Sequence, residues 1–518
     1  MPKRDKAAGS YKWGSSHWKD TTWNKVHIAK AVYEYGVHII HSDTDVTWFN
    51  DPLPYFHGEQ WSKVHVAMAT DALLTQNPVG DVGPELGTSP HWNINTGIYF
   101  FRQWPGGLDF YNAWLGWEPR NVGHDQDGFN YLVRGQWFHG DRDMPTAVLP
   151  AGTPWDNRYF WAAFSNTTAI SFLPASSFGN AYTYVNARLY EKLKHPLYEV
   201  HWVWGGKTIE SKRQNMRDAM KFHDPPEYYT EPNLISFDLE HMQPPDGYNS
   251  WPEPQTERMV RFHVEATNRQ LAQAYWAFAA ALVANRTLVM PKFLCYCSKN
   301  WYQTHACRVN NEPATTFPFV CALSQVMKVK ALEQGLGLPG STDYSGHRVF
   351  IREYSYLDNP KVPTRLKQSL LEVVTLEPRP AFVHDPAQLI RKIGPSPRGY
   401  GSQVVVHAPL SDVELRALFT LAPFREARVV HIAQPHKLFK GFTRPETQAQ
   451  FDEEIQKKAA YWCCRTPVDM KAMNASDRMQ LSLLPPERHG ALPRLGPDSH
   501  AQYLQDLGPV VPRTEPVM

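Results

Sequence analysis

The sequence predicts an α/β protein: a mixed-sheet domain followed by a second, Rossmann-like α/β domain. Three observations lead there. The chain has 518 residues, more than one ordinary domain holds, so two cores are expected. In the first half, short apolar runs stop abruptly at polar or acidic residues, as strands do at the edge of a sheet. In the second half, strand, helix and strand patterns follow one another between Met259 and Met290, which favours a parallel pair joined by a right-handed crossover.

Residues 1–22 are polar, rich in Ser, Thr, Lys and Trp, and without a period, so they read as a loose lead-in. From Trp23, the spacing of Val26, Ala29, Val32 and Tyr33 predicts a short helix. Val37, Ile39 and Ile40 then give a buried strand that ends in Ser42-Asp43-Thr44-Asp45, and Asn50-Asp51-Pro52-Leu53-Pro54 is a turn that halts it. Val64–Thr70, followed by Asp71, and Asn93–Phe101 read as the next strands. Gly97 within the latter marks either a bulge or a close backbone approach, where Asn95 could hold a ligand hydroxyl. A helix opens at Asp125, whose acid is either a cap or a ligand-facing group.

Near Asn233 the composition changes and the second domain begins, giving expected boundaries of 1–232 and 233–466. Its strands are expected at Met259–Val264, Thr287–Met290, Val349–Tyr354, Gln403–His407 and Arg428–Ile432, with a helix over Arg269–Ala284. Ser411-x-x-Glu414 is a capping box for a helix between the last two strands. No glycine-rich phosphate loop accompanies them, so this domain reads as structural or acceptor-binding. Residues 467–518, with Pro485-Pro486, Pro509, Pro512 and Pro516, read as a disordered tail.

Lysine plus arginine (53) nearly balance aspartate plus glutamate (51), which argues against a general polyanion surface and against nucleic acid as a partner. The six cysteines all lie in the second half, without zinc spacing, and allow fifteen pairings if all are bridged. Asn166, Asn285 and Asn474 open glycosylation sequons, compatible with a secretory lumen. The longest apolar run, Ala274–Ala284, is eleven residues, well under the roughly 18 a membrane span needs. MPKRDKAAGS at the N-terminus has no apolar stretch behind it and is not a signal peptide.

Two stretches carry chemistry. Asp-x-Asp occurs at Asp43/Asp45, Asp125/Asp127 and Asp141/Asp143, so the tripeptide alone means little. Only the first follows a buried strand, at the edge where open α/β sheets bind ligands, and two carboxylates there suit Mn²⁺ or Mg²⁺. His201-Trp202-Val203-Trp204-Gly205-Gly206-Lys207 adds an imidazole suited to Mn²⁺, glycines that admit a diphosphate, and an ammonium that neutralises one. Read alone, such a stretch is more often a surface loop.

HSDTDVTWFNDPLPYF, residues 41–56, resembles the metal-site segment of glycosyltransferase family 77, especially its plant and algal extensin arabinosyltransferase branch. Further matches follow in order: Asn95-Thr96-Gly97-Ile98, Asp125-Gln126-x-Gly128-Phe129-Asn130, Leu173-Pro174-Ala175-Ser176 and Asp224-Pro225-Pro226-Glu227-Tyr228-Tyr229. Asn285 to Pro291, Ile351 to Pro360 and Trp462-Cys463-Cys464 complete them, so the likeness runs from about residue 23 to about 465. It implies a GT-A-like nucleotide-diphospho-sugar transferase fold and a retaining transfer of L-arabinofuranose from UDP to arabinosylated hydroxyproline of a hydroxyproline-rich glycoprotein. It implies metal ligation by Asp43, Asp45 and His201, donor binding by Asp43, Asn95, Gly97 and Lys207, and Asp125 and Gln126 beside the reacting carbon. His124 stands where the family has Trp. Family members are Golgi-lumen enzymes with one N-terminal anchor, and they place strand-helix units before the Asp-x-Asp. One helix precedes it here, so the resemblance implies an N-terminally truncated chain whose anchor belongs to a longer parent. The competing expectation is a non-catalytic transferase-like protein that binds acceptor glycoprotein or a partner chain.

Overall fold

The computed structural model describes residues 14–86, 94–120, 123–134, 158–162, 168–206, 208–298, 304–309, 312–379, 383–462 and 479–488. The chain forms two compact units, Met1–Val203 and Trp204–Met518.

The first unit opens with helix α1 (Ser16–Tyr33), which buries Trp23, Val26, Ala29 and Tyr33, whereas Val32, counted in the apolar spacing, is exposed. The helix starts well before Trp23, because Ser15 Oγ caps it by accepting from Trp18 N–H at 3.3 Å. Residues 16–22, read as lead-in, are therefore helical: a cap extends the helix where no apolar period announces it. Next come β1 (Ile39–Ser42), β2 (Val46–Trp48), α2 (Leu53–Phe56), β3 (Val66–Thr70), β4 (Ile94–Phe101), α3 (Gly107–Leu115) and α4 (Asp125–Arg134). Strands β5 (Tyr159–Ala162), β6 (Thr168–Phe172), β7 (Phe178–Asn180) and β8 (Glu199–His201) complete the unit.

Its five-stranded sheet runs β1-β4-β3-β6-β5, mixed as expected: β3 and β6 are parallel, the other neighbours antiparallel. β4 is buried along its whole length because both faces are covered. Tyr99 and Phe101 pack with Tyr33, Tyr111, Trp114 and Phe129, while Ile98 and Phe100 pack with Tyr55, Phe56, Trp61 and Phe178. A second, three-stranded sheet, β2-β8-β7, brings β8 alongside β2 with Val46 opposite His201.

The second unit holds a seven-stranded sheet. Its order is Ile351–Arg352, Thr287–Val289, Leu234–Phe237, Val429–Ile432, Leu370–Leu376, Ser402–His407, Ile390–Pro395, parallel except for the last pair. The expected strand at Met259–Val264 is instead the start of one 29-residue helix, Thr256–Ala284. Met259, His263, Ala266, Gln270 and Ala274 are buried at helical spacing, and that continuous buried stripe overrides the local preference of Val260, Phe262 and Val264 for a strand. Leu234–Phe237 is the first strand of the βαβ unit, parallel to Thr287–Val289. Ser411 and Glu414 form the capping box, opening the helix Asp412–Thr420.

Two of the resemblance blocks meet within this unit. Tyr228 O–H donates to Glu353 at 2.6 Å, and the Arg352 guanidinium lies 3.9 Å from the centre of the Tyr228 ring. Disulfides join Cys295 to Cys321 and Cys297 to Cys307. Cys463 and Cys464 lie outside the described residues. The tail needs correction: Leu481, Leu483 and Leu484 enter the main core, and Leu483 N–H donates to Gln456 Oε1 at 2.9 Å. A short apolar anchor is hidden between a polar stretch and Pro485-Pro486. Among the described residues, no helix is long and apolar enough to cross a membrane.

Candidate metal and donor site

β1 ends at Ser42, and Asp43 N–H donates to Gly97 O at 2.8 Å, so the first carboxylate leaves the sheet just where β4 anchors the chain. Asp45 follows, and its carbonyl accepts from Trp202 N–H at 3.0 Å, which locks it beside the end of β8. The result is a cluster: one ligand atom each from Asp43, Asp45 and His201 lies within 4.8 Å of the others. His201 Nε2 is 3.3 Å from Asp45 Oδ1. The imidazole is buried, whereas the side chains of Asp43 and Asp45 are 29 % and 27 % exposed. Two carboxylates and an imidazole converging on one partly open point fit a divalent cation, with a side left for substrate oxygens.

Gly97 makes the cluster sterically possible. A Cβ there would sit 2.3 Å from His201 Cε1 and 2.9 Å from Asn95 Oδ1. The β3–β4 register also breaks here, Met68 facing Tyr99 but Ala69 facing Asn95, so the bulge and the close approach are one feature. Asn95 Oδ1 accepts from Gly97 N–H at 2.7 Å, and its amide donates to Asp71 Oδ1 at 2.9 Å.

Asp125 is the first residue of α4 and is 1 % exposed. It accepts from Thr96 Oγ1 at 2.7 Å and pairs with Lys25 Nζ at 3.1 Å. Lys25 reaches Asp43 at the same distance, so one ammonium ties α1, α4 and the cluster together. Burial works against that charge, yet the two carboxylates outweigh it and hold the Lys25 ammonium above its ordinary pKa. Asp43 is likewise kept below the usual carboxylate range: burial opposes ionisation, and the hydrogen bond from His41 with the charge of Lys25 overcomes it. Gln126 accepts from Thr96 N–H at 3.3 Å, and Asn130 bridges Ile94 with both ends of its amide. These bonds seat α4 on the start of β4.

Asp127 accepts from His124 N–H and lies 2.7 Å from His124 Nδ1, so the second Asp-x-Asp closes a helix start. The third, Asp141/Asp143, and Lys207 lie outside the described residues. Gly206 adopts φ +119°, and a Cβ there would meet Ser211 at 2.6 Å, which ties this glycine to the following helix, Ile209–Asp218. Glu199, on β8, is fully buried with neither oxygen hydrogen-bonded among the described residues, and burial pushes its carboxyl well up.

Sequence reasoning missed Lys25, His41, Asp71 and Thr96. Lys25 sits between the buried positions Trp23 and Val26, and His41 precedes Asp43 by two in an alternating strand. Both placements are signals, but neither names a partner.

The first unit thus places strand-end carboxylates and an imidazole together at the edge of a mixed sheet. Residues 1–216 match the family model of the nucleotide-diphospho-sugar transferases. Over 460 residues the chain is 26 % identical to arabinosyltransferase XEG113 of Arabidopsis thaliana, covering 87 % of this chain and 64 % of that relative. The chain therefore spans less than two thirds of the relative's length. No solved structure matches it significantly.

Proposed function

We propose that the protein is a metal-dependent, retaining glycosyltransferase that moves L-arabinofuranose from UDP-arabinofuranose to arabinosylated hydroxyproline of extensin-like wall glycoproteins. The observation that carries this reading is the convergence of Asp43, Asp45 and His201 at the strand ends. The name of the Arabidopsis relative supports the sugar. Mn²⁺ or Mg²⁺ held there would supply Lewis-acid stabilisation of the leaving diphosphate.

The chain's own residues do the rest. Lys25 and His41 fix the Asp43 carboxylate before substrate arrives, so little orientation is left to the moment of binding. Asn95 and the side-chain-free Gly97 let the donor sugar approach the backbone of β4. Gln126 keeps the role beside the reacting carbon. Asp125 is buried, so it acts as a positioning residue through Lys25. Lys207 is assigned to the diphosphate. Residues 233–466 hold the acceptor or support the fold. The setting is the Golgi lumen.

Calorimetric titration with UDP, with and without Mn²⁺, tests the reading against the Asp43→Ala/Asp45→Ala double variant. Mn²⁺-dependent UDP binding that the variant loses, followed by transfer from UDP-arabinofuranose, is the expected result. A folded chain with no Mn²⁺-dependent UDP binding sinks it and favours a non-catalytic, glycoprotein-binding protein.

A further inference from the structure

The parallel sheet of the second unit has two unlike faces. On one, Ile235, Leu371, Val373, Val404, Val406, Val430 and Ile432 enter the main core. On the other, the amino-terminal half is apolar, with Leu234, Leu370 and Val429 packed against Tyr229, Tyr356 and Leu366. Toward the carboxyl ends that face turns polar. Ser236, His431, Glu372 and Gln403 stand in register on four adjacent strands, and Asp238 follows Ser236 by two. Parallel sheets ordinarily bury both faces under helices, yet Glu372, Val374, Gln403 and Val405 are only half-buried.

The polar groups form one connected set. His431 Nδ1 lies 3.0 Å from Ser236 Oγ, and its Nε2 lies 3.1 Å from Asp238 Oδ2 and 2.9 Å from Arg398 Nη2. Ser396 Oγ donates to Glu372 at 2.9 Å and also accepts from Arg398 N–H at 3.2 Å, so the hairpin after Ile390–Pro395 holds the arginine over the sheet. The base of the set is buried, and its rim reaches solvent: the side chains of Asp238 and Arg398 are 60 % and 41 % exposed. The place is also where the connections part. From Leu234–Phe237 the chain crosses to Thr287–Val289 on one side, while the neighbour on the other side, Val429–Ile432, is reached from the opposite wing of the sheet. The crevice beyond the carboxyl ends at such a switch point is where open α/β sheets take ligands.

Charge selects the ligand class. Asp238 and Glu372 repel a nucleotide or phosphate, and Arg398 repels a cation. A neutral ligand that both donates and accepts remains, which is a run of sugar hydroxyls. Tyr400, an exposed ring two residues beyond Arg398, is of the kind a sugar face packs against. We propose that Ser236, Asp238, Glu372, Arg398 and His431 form a binding site for a neutral oligosaccharide, the glycan of the acceptor. The choice of arabinose rests on the transferase reading above; the site itself does not.

The test is calorimetric titration of the full chain, metal-free in EDTA, with arabinotriose, cellotriose, UDP and inorganic phosphate. The variants are Asp238→Ala, Arg398→Ala and Asp43→Ala/Asp45→Ala. The two single substitutions fall on exposed side chains, and an unchanged thermal midpoint verifies their fold. Expected is oligosaccharide binding that weakens about tenfold or more in each single variant and is unchanged in the double variant. Binding of either oligosaccharide in this pattern supports the site. It is overturned if neither oligosaccharide binds, if both single variants bind as tightly as the parent, or if the double variant alone loses binding. UDP or phosphate binding abolished by Arg398→Ala also overturns it. Absent Mn²⁺-dependent UDP binding would sink the transferase reading and leave this pattern unaffected, so the two failures are distinguishable.

Discussion

Asp43-Thr44-Asp45 and Asp125-Gln126-Asp127 are the same motif in one unit, and the fold puts them to opposite uses. The first hangs between two strand ends with both carboxylates partly open and meets an imidazole. The second opens a helix; Asp125 is buried against Lys25 and Thr96, and Asp127 is closed by His124. Both reach the same ammonium at 3.1 Å through Asp43 and Asp125. What separates the two pairs is the element each tripeptide terminates or begins, and whether a third donor arrives.

The largest expected effect breaks the link between the pairs. Lys25→Met strands the buried Asp125 carboxylate and should cost about 3 kcal/mol of stability, read as a lower urea midpoint. Because the folded state raises the Lys25 pKa, its contribution is complete below the unfolded lysine value and fades only as pH climbs through the folded one. The loss should therefore be full at pH 7, and a pH 7 midpoint equal to the parent's would refute the bridge.

Asp45→Ala should weaken Mn²⁺-dependent UDP binding by about 100-fold, whereas Asp127→Ala leaves the same titration unchanged. Equal effects from both would mean that the two pairs do not differ in metal binding. Gly97→Ala drives a methyl into His201 and should weaken metal binding by about tenfold, measured by Mn²⁺ titration. Full affinity there would show that the imidazole is not the third ligand.

Asp127→Asn tests the capping side alone and should cost about 1 kcal/mol, seen in thermal unfolding with unaltered Mn²⁺ affinity. The smallest effect belongs to Glu414, a helix-start acid of the second unit. Burial opposes its ionisation, but hydrogen bonds from Arg379 and Ser411 bring its pKa down to about 2. A depressed pKa gives stability that is present above the unfolded carboxylate value and lost as pH falls toward the folded one. Glu414→Gln should thus lower stability by about 1 kcal/mol or less at pH 7, after allowance for solvent screening, with the gap closing between about pH 4.5 and 2. A gap that widens in acid would overturn that assignment.

Much of the first unit was legible because local rules dictated it. Val26, Ala29 and Tyr33 repeat at helical spacing, and Ile39 and Ile40 stop at acids; in the second unit, Ser411 with Glu414 signals a cap. Where the reading failed, a longer-range term won. Met259–Val264 looks extended in isolation but joins a helix whose stripe continues to Ala284, and Leu481 to Leu484 are anchored by residues distant in the chain.

The sequence by itself determined the periodic faces, the capping signals and the placing of acids after an apolar run, because each depends on neighbours a few residues apart. The tertiary structure decided which Asp-x-Asp gains an imidazole, that Gly97 must lack a side chain, and that Lys25 serves two carboxylates. Those follow from strands distant in sequence meeting at their ends, and no local spacing encodes that approach.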